Sequence, residues 1–163
     1  MDSDKNERRI DNAKGRFRTI AAVLVLLARK GQDGDMECLL QKRQNTGFAD
    51  GMWDFSATGH VEKDEPMTSA VCREVREEIS IDILPEDVEF IGVMHTFGDG
   101  EPRILGCFKV DKYRGDVEIG EPDKVAELKW FSINDLPENL IDTRKKALEC
   151  YKNSGVFYQE LGW

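Results

Sequence analysis

Four glutamates between positions 65 and 78 have the residue type and the spacing to bind a divalent metal ion. Glu65 stands alone, whereas Glu74, Glu77 and Glu78 fall in what reads as one helix. At about 100° per residue, these three occupy roughly a third of the helix circumference. Carboxylates at i,i+3 and i,i+4 spacing repel one another unless cations join them. The cluster therefore indicates a candidate site for a divalent cation, and with it phosphate chemistry.

The same spacing also fits an ordinary acidic helix face that is exposed to water. Such faces are common in a chain with a formal net charge of −9. Arg73 and Arg76 offer local ion pairs that would neutralise part of this charge. The helix alone does not separate the two interpretations, but the glycine turn and Glu65 that precede it favour a metal site.

The composition bounds the class of protein and its partners. At 163 residues, with 40% hydrophobic and 34% charged side chains, the chain is expected to form one soluble globular domain over residues 18–163. A flexible N-terminal arm is expected over residues 1–17. The net acidity argues against polymeric nucleic acid as a partner, because phosphate backbones require a basic face. Any phosphate ligand must therefore be attracted by metal ions or by local Arg and Lys.

The cysteines and apolar runs give no sign of zinc, secretion or a membrane. Four widely spaced cysteines without a C-x-x-C pair, and only two histidines, argue against a structural zinc site. The N-terminus is mostly polar or charged, and the apolar run at 20–28 is too short to span a bilayer. We expect reduced cysteines, a cytoplasmic location and no membrane partner.

The hydrophobic periodicity predicts a mixed α/β protein. The first two strands should form a hairpin, Thr58 and Gly59 should end the third strand, and Gly98 to Gly100 should join the fourth and fifth. Val71, Val75 and Ile79 form the expected core stripe of the first helix. The predicted strands cover 19–28, 36–43, 52–57, 88–97, 104–110 and 128–131, and the predicted helices cover 66–79 and 142–152. This order predicts a sandwich of one mixed sheet and helices.

The segment 59–81 closely resembles the box of the Nudix family, G-x5-E-x7-R-E-U-x-E-E-x-G-U, in which U is bulky and aliphatic. Gly59, Glu65, Arg73, Glu74, Val75, Glu77, Glu78 and Ile81 match this pattern. The second glycine is replaced by Ser80, at a point where a helix C-terminus favours a left-handed residue. The resemblance covers roughly residues 18 to 150 and implies an α/β/α sandwich with the box as a loop–helix–loop.

The resemblance also implies roles for the box residues. Glu74, Glu77 and Glu78 would bind Mg2+, or Mn2+ in its place, and the carbonyl of Thr58 or Gly59 would complete the coordination. Glu77, Glu78 and Arg73 would belong to the catalytic machinery, while Glu65 would align the helix with Arg73. Hard oxygen ligands suit these ions, which activate water and neutralise charge at phosphorus.

Downstream of the box, residues 115–139 are similar to the distal half of MutT-like Nudix proteins. By position, Glu121 would be the general base, with Glu118 as the second candidate, although either also fits an exposed loop carboxylate. Arg43 is a candidate phosphate contact or a surface ion pair. Trp130 is a candidate base contact or core aromatic, and Asn139 is a candidate base-reading amide or turn residue.

The resemblance implies hydrolysis of a nucleotide, with a nucleoside triphosphate, oxidised or not, cleaved to monophosphate and pyrophosphate as the first expectation. ADP-ribose and dinucleoside polyphosphates are the alternative substrates, and a nucleotide-sensing module that does not cleave is the alternative function. Many relatives dimerise, so a homodimer stays open. The fold itself hosts many substrates.

Overall fold

In the computed structural model, which describes residues 18–163, eight strands form one mixed sheet that is flanked by two helices. The expected N-terminal arm, residues 1–17, lies outside the described residues. The elements are β1 (Ile20–Lys30), β2 (Met36–Arg43), β3 (Trp53–Phe55), β4 (Ala57–His60), α1 (Met67–Ile79), a 3-10 turn (Pro85–Asp87), β5 (Glu89–Gly98), β6 (Glu101–Val110), β7 (Val125–Ser132), α2 (Asp142–Ser154) and β8 (Phe157–Leu161).

Strand β1 is the centre of the sheet and changes partner along its length. The strand order is β3-β2-β1-β6-β5-β8, with β4 added to β1 and β7 added to β2. The end of β1 pairs antiparallel with β2, as the predicted hairpin requires, whereas its first half pairs with β4 through the register Ala22↔His60. On its other side β1 runs parallel to β6. The sheet thus splits at β1, and β4 enters at that split.

Alternate residues of β1 point into two core layers, one on each face of the sheet. Ala22, Leu24 and Leu26 pack in the layer that includes Ala147 and Leu148 of α2. The intervening valines and Leu27 pack in the layer that includes Val71, Val75 and Ile79 of α1, which have 0% exposure. Each fully buried aliphatic side chain contributes about 1.5–3 kcal/mol. The predicted helix stripe and the α/β/α sandwich are confirmed.

The prediction that Thr58 and Gly59 end the third strand is wrong. These residues lie inside β4, and the interruption falls two residues before Thr58, at Ser56. The Ser56 hydroxyl accepts a hydrogen bond from the Leu27 N–H at 2.7 Å and donates one to the Val25 carbonyl at 3.0 Å. A side chain therefore replaces the main-chain pairing at Ser56, which separates β3 from β4.

The remaining differences concern element ends and one strand that the periodicity does not indicate. Strand β8 is short and amphipathic, and it is held by parallel pairing to β5 rather than by its own pattern. Pro66 is the residue before α1, not a residue of its first turn, with an extended ψ of 147°. Ser80 ends α1 in the left-handed region, with φ 61°, as its place in the box indicates.

Candidate active site

The carboxylate of Glu74 in α1 lies directly against the Cα of Gly59 in β4. A Cβ at Gly59 would overlap the carboxylate of Glu74. Glu74 is itself only 7% exposed, which is unusual for a glutamate. Burial raises its pKa, and the charges of Glu77 and Glu121 act in the same direction. The glycine of the box therefore makes room for a carboxylate that the fold holds over β4.

Glu78 is joined to β4 and β2 by hydrogen bonds to one oxygen. Its Oε2 accepts from the Thr58 backbone N–H at 2.9 Å and from the Gln41 side-chain amide at 3.0 Å. Burial raises the pKa of Glu78 to about 8, and the nearby Glu74 and Glu121 add to this, although both hydrogen bonds favour the ionised form. Burial therefore favours the protonated form of this carboxyl group in the metal-free protein.

Arg73 is the cation of the cluster and contacts three of the box glutamates. Its Nε and Nη2 donate to the two oxygens of Glu65, each at 2.9 Å, and Nη2 also donates to the His60 carbonyl at 3.0 Å. Its Nη1 donates to Glu74 at 2.6 Å and reaches Glu77 at 3.4 Å. The hydrogen bonds from the Arg73 guanidinium are the main reason that the pKa of Glu65 is lowered to about 2. Glu65 is thus an anchor for Arg73, as the resemblance implies.

The donor set has the chemistry that a hard divalent ion requires, although its members are not gathered around one point. In residues 18–163, no three His, Cys, Asp or Glu side chains converge closely enough to form a ready-made ion cage. Arg73 accounts for this in part, because its guanidinium draws Glu74 and Glu77 to itself. The carboxylates nevertheless project from one helix face beside the β4 carbonyls. Carboxylate and carbonyl oxygens are the donors that Mg2+ and Mn2+ prefer, so the chemistry of this donor set fits such an ion.

Gly120 brings Glu121 up to the end of α1. A Cβ at Gly120 would overlap the Glu77 carbonyl, and the Gly120 N–H donates to the Glu78 carbonyl at 2.9 Å. This close approach places Glu121 near enough to raise the pKa of both Glu74 and Glu78. Lys124 donates to Glu121 at 2.8 Å. The backbone N–H of Glu118, the second candidate, donates to the Ile79 carbonyl at 3.2 Å.

A cleft of about 620 Å³ opens beside β4 on the α2 side of the sheet. Its walls combine Thr58, Gly59 and His60 of β4 with cationic and aromatic side chains from other elements. The cationic side chains are Arg43, Arg103 and Arg144, and the aromatic ones are Phe48 and Phe97, which are 46% and 41% exposed. Asp99 is the acidic side chain of the same lining. Three arginines and two exposed aromatic rings in one cleft suit an anionic ligand that also carries rings.

Two of the predicted substrate contacts lie elsewhere in the described part of the chain. Trp130 is half-buried against the α1 core layer and stacks with the Arg29 guanidinium at 4.0 Å, so it does not line the cleft. Asn139 donates its side-chain amide to the Gly51 carbonyl at 3.0 Å, and its own carbonyl accepts from Trp53. Both positions match the structural alternatives considered for these residues.

Arg144, Asp54, Phe48 and Phe97 were not singled out from the sequence. Asp54 lies between two aromatic residues in a short strand, and nothing in its spacing marks a buried ion pair. Its 0% exposure and its contacts with Arg43 and Arg144 appear only after α2 packs against β3. A charged residue inside a predicted buried strand is the one sequence signal that could have identified it.

The sequence as a whole matches one family. A family model described as the NUDIX domain matches residues 17–152. The chain belongs to the Nudix family. Among curated Nudix proteins, the NAD-capped RNA hydrolase NudC of Stutzerimonas stutzeri is 33% identical over 116 residues, which are 71% of this chain and 37% of that protein. The chain thus spans well under half the length of this relative.

Solved Nudix structures have the same fold. The MutT NUDIX hydrolase from Burkholderia pseudomallei superposes with a TM-score of 0.71 at 28% identity, covering 81% of this chain and 97% of that chain. The NUDIX domain of Shewanella oneidensis NrtR, solved with ADP ribose, has a TM-score of 0.67 at 19% identity, covering 94% of this chain and 98% of that chain. In residues 18–163, no helix is both long and apolar enough to cross a membrane.

Proposed function

We propose that this Nudix protein hydrolyses a diphosphate linkage in a nucleotide, using Mg2+ or Mn2+. The observation that supports this most strongly is the meeting of two features at β4. The α1 glutamates face this strand on one side, and the cleft with its arginines and phenylalanines opens on the other. A diphosphate at β4 would therefore contact the metal ligands while its organic group enters the cleft.

Different residues would have different roles in this reaction. Glu74, Glu77 and Glu78 would hold the ion, and Arg73 keeps the first two aligned from its anchor on Glu65. A bound Mg2+ would supply charge neutralisation at phosphorus and a more acidic water. Glu121 is the proposed general base, because it lies next to this cluster and is only partly exposed. Lys124 keeps its carboxylate oriented.

Two substrate classes have support. A nucleoside triphosphate, cleaved to monophosphate and pyrophosphate, follows from the MutT-like pattern and from the likeness to a MutT structure. A dinucleotide such as NAD or a capped RNA end follows from the likeness to NudC proteins. The cleft has one exposed aromatic ring on the 44–51 loop and one on the β5–β6 hairpin, which suits a ligand with two ring systems. We therefore rank the dinucleotide class beside the triphosphate class.

A substrate screen tests the proposal. Nucleoside triphosphates, oxidised nucleotides, NAD, ADP-ribose and dinucleoside polyphosphates are incubated with Mg2+ or Mn2+. Nucleotide products are separated by chromatography, and phosphate and pyrophosphate release are measured independently. We expect one class to give a metal-dependent nucleoside monophosphate product. The absence of any product across all classes, metals and pH values, together with tight nucleotide binding, would instead support the alternative of a nucleotide-sensing module.

A further inference from the structure

The cleft contains two arginines that share one buried carboxylate. Arg144 donates from Nε to Asp54 Oδ1 at 2.6 Å and from Nη2 to Oδ2 at 3.2 Å. Arg43 donates from Nη1 to the same Oδ2 at 2.9 Å. Asp54 has 0% exposure, and the side chains of Arg144 and Arg43 are 9% and 16% exposed. This trio joins β2, β3 and the first turn of α2.

Neither guanidinium is saturated by its contacts within residues 18–163. Each has five N–H donors. Arg144 uses three, two on Asp54 and one on the Thr143 hydroxyl. Arg43 also uses three, on Asp54, on the Phe48 carbonyl and on the Thr46 hydroxyl. Each guanidinium therefore keeps two N–H donors, and both side chains line the cleft.

The charge of the trio is unbalanced in favour of an anion. Two guanidinium groups against one carboxylate leave one net positive charge at a largely dry site. Arg103 lines the same cleft from β6 and pairs with Glu101 at 3.7 Å, while no group in residues 18–163 accepts a hydrogen bond from its buried Nε–H. A buried pair that served stability alone would need only one arginine for one aspartate, because an extra desolvated charge is unfavourable. A second anion would complete the arrangement.

We infer that Arg43 and Arg144 form an arginine clamp, held in place by Asp54, that binds a phosphate group of the substrate in the cleft. Phosphate matches the planar fork of two arginines better than it matches lysine. The inference deepens the proposed function and rests on it for the identity of the ligand as a nucleotide. In this arrangement Arg43 and Arg144 contact the substrate, whereas Asp54 is a positioning residue.

The clamp is tested by metal-free binding of the non-hydrolysable nucleotide α,β-methylene-ADP, measured by isothermal titration calorimetry with a chelator present. We expect Arg144→Gln to weaken binding about tenfold or more, since it removes a charge-assisted contact. Arg144→Lys should recover part of this loss, because the charge remains without the fork. Lys145→Gln, which removes an exposed charge from the next position of α2, is the matched control and should change affinity less than about twofold.

The direction in which Asp54→Asn changes nucleotide affinity shows whether Asp54 positions the arginines or only neutralises their charge. If Asp54 only neutralised the cleft, removing its negative charge would tighten binding of an anion. A positioning role predicts weaker binding, because both arginines lose their anchor. Circular dichroism establishes that each variant is folded before it is titrated, and the Arg144 variants carry the test if Asp54→Asn does not fold.

Three results would overturn the clamp. They are wild-type affinity in folded Arg144→Gln, an equal loss in Lys145→Gln, and no binding of the nucleotide by the wild-type chain. Failure of the clamp differs visibly from failure of the proposed function. Arg144-dependent binding without hydrolysis in the substrate screen would support the clamp and contradict the hydrolase. Hydrolysis by the wild-type chain, together with nucleotide binding that Arg144→Gln does not weaken, would support the hydrolase and contradict the clamp.

Discussion

The carboxylate of Glu78 accepts a hydrogen bond of 2.9 Å from the backbone N–H of Thr58, which joins the last turn of α1 to β4. This contact places an acidic group with a raised pKa beside the carbonyls that are proposed to share its metal ion. The fold therefore holds Glu78 in an unfavourable environment that a bound cation would relieve. Several measurable consequences follow from this environment and from its neighbours.

Replacement of Glu78 by glutamine should stabilise the metal-free protein at high pH. The folded-state pKa of about 8 exceeds the ordinary value of 4.5. The contribution of Glu78 to the free energy of unfolding is therefore fully present below about pH 4.5 and is lost as the pH rises through 8. We expect Glu78→Gln to raise the free energy of unfolding at about pH 9 by more than about 1.4 kcal/mol, the equivalent of one pKa unit.

Urea denaturation with a chelator present, at about pH 9 and again at about pH 5, measures this effect. The gain should be much smaller at the lower pH, where the carboxyl group of Glu78 is protonated in the folded state. Glu149→Gln, at an exposed position of α2, is the control and should be neutral at both pH values. A Glu78→Gln gain that is equal at both pH values would argue against a buried, titrating Glu78.

Metal binding should weaken as the pH falls and should release a proton. Because the carboxyl group of Glu78 titrates near pH 8 in the metal-free protein, the ion must displace its proton at neutral pH. We expect Mn2+ affinity to fall at least about tenfold between pH 9 and pH 6, with release of about one proton per ion near pH 7. Calorimetry in buffers of different ionisation enthalpy measures both quantities, and a pH-independent affinity would exclude this titration.

Gly59→Ala should disrupt the metal site with limited effect elsewhere. The new Cβ would overlap the Glu74 carboxylate and force it away from β4. We expect Mn2+ affinity to fall about tenfold or more, with a lowered melting temperature. Gly98→Ala is the control, since nothing lies within 4 Å of a Cβ at that exposed position. An unchanged Mn2+ affinity in Gly59→Ala would show that metal binding does not depend on the position of the Glu74 carboxylate against β4.

Ser80→Gly should stabilise the chain without changing its chemistry. Ser80 has a φ of 61°, a left-handed conformation that is unfavourable for a residue with a side chain. Glycine at this helix end relieves that strain, and after its larger loss of chain entropy we expect a net gain of about 0.5–1 kcal/mol in unfolding free energy. Ser154→Gly, within the last turn of α2, should give no gain. A destabilised Ser80→Gly would mean that the serine side chain has a role of its own.

The sequence predicts the box helix well because its information is local. The stripe of Val71, Val75 and Ile79 depends only on a period of 3.6 residues, and the left-handed Ser80 depends on the box pattern. The extent of β4 and the presence of β8 depend instead on pairing with strands that are distant in sequence. The position of Trp130 shows the same limit, because an aromatic residue in a strand can face either layer until the sheet is assembled.

The residues of the cleft are harder to predict from the sequence than the proposed metal ligands. Arg43, Asp54 and Arg144 come from three separate segments, and their contacts form only when α2 packs on the sheet. The box thus indicates the reaction type, whereas the groups that would select the substrate depend on tertiary structure. For this reason the substrate class is proposed from the cleft rather than from a motif.

Turnover by Glu77→Gln and Glu78→Gln, relative to the wild-type chain on its best substrate with saturating Mg2+, tests the central proposal most directly. Each variant removes one proposed metal ligand and leaves the size of the side chain unchanged. Glu127→Gln, on the exposed edge of β7, is the control and should keep wild-type turnover. We expect each ligand variant to lose activity by about a hundredfold or more. Full Mg2+-dependent turnover in either ligand variant would contradict the proposed metal site.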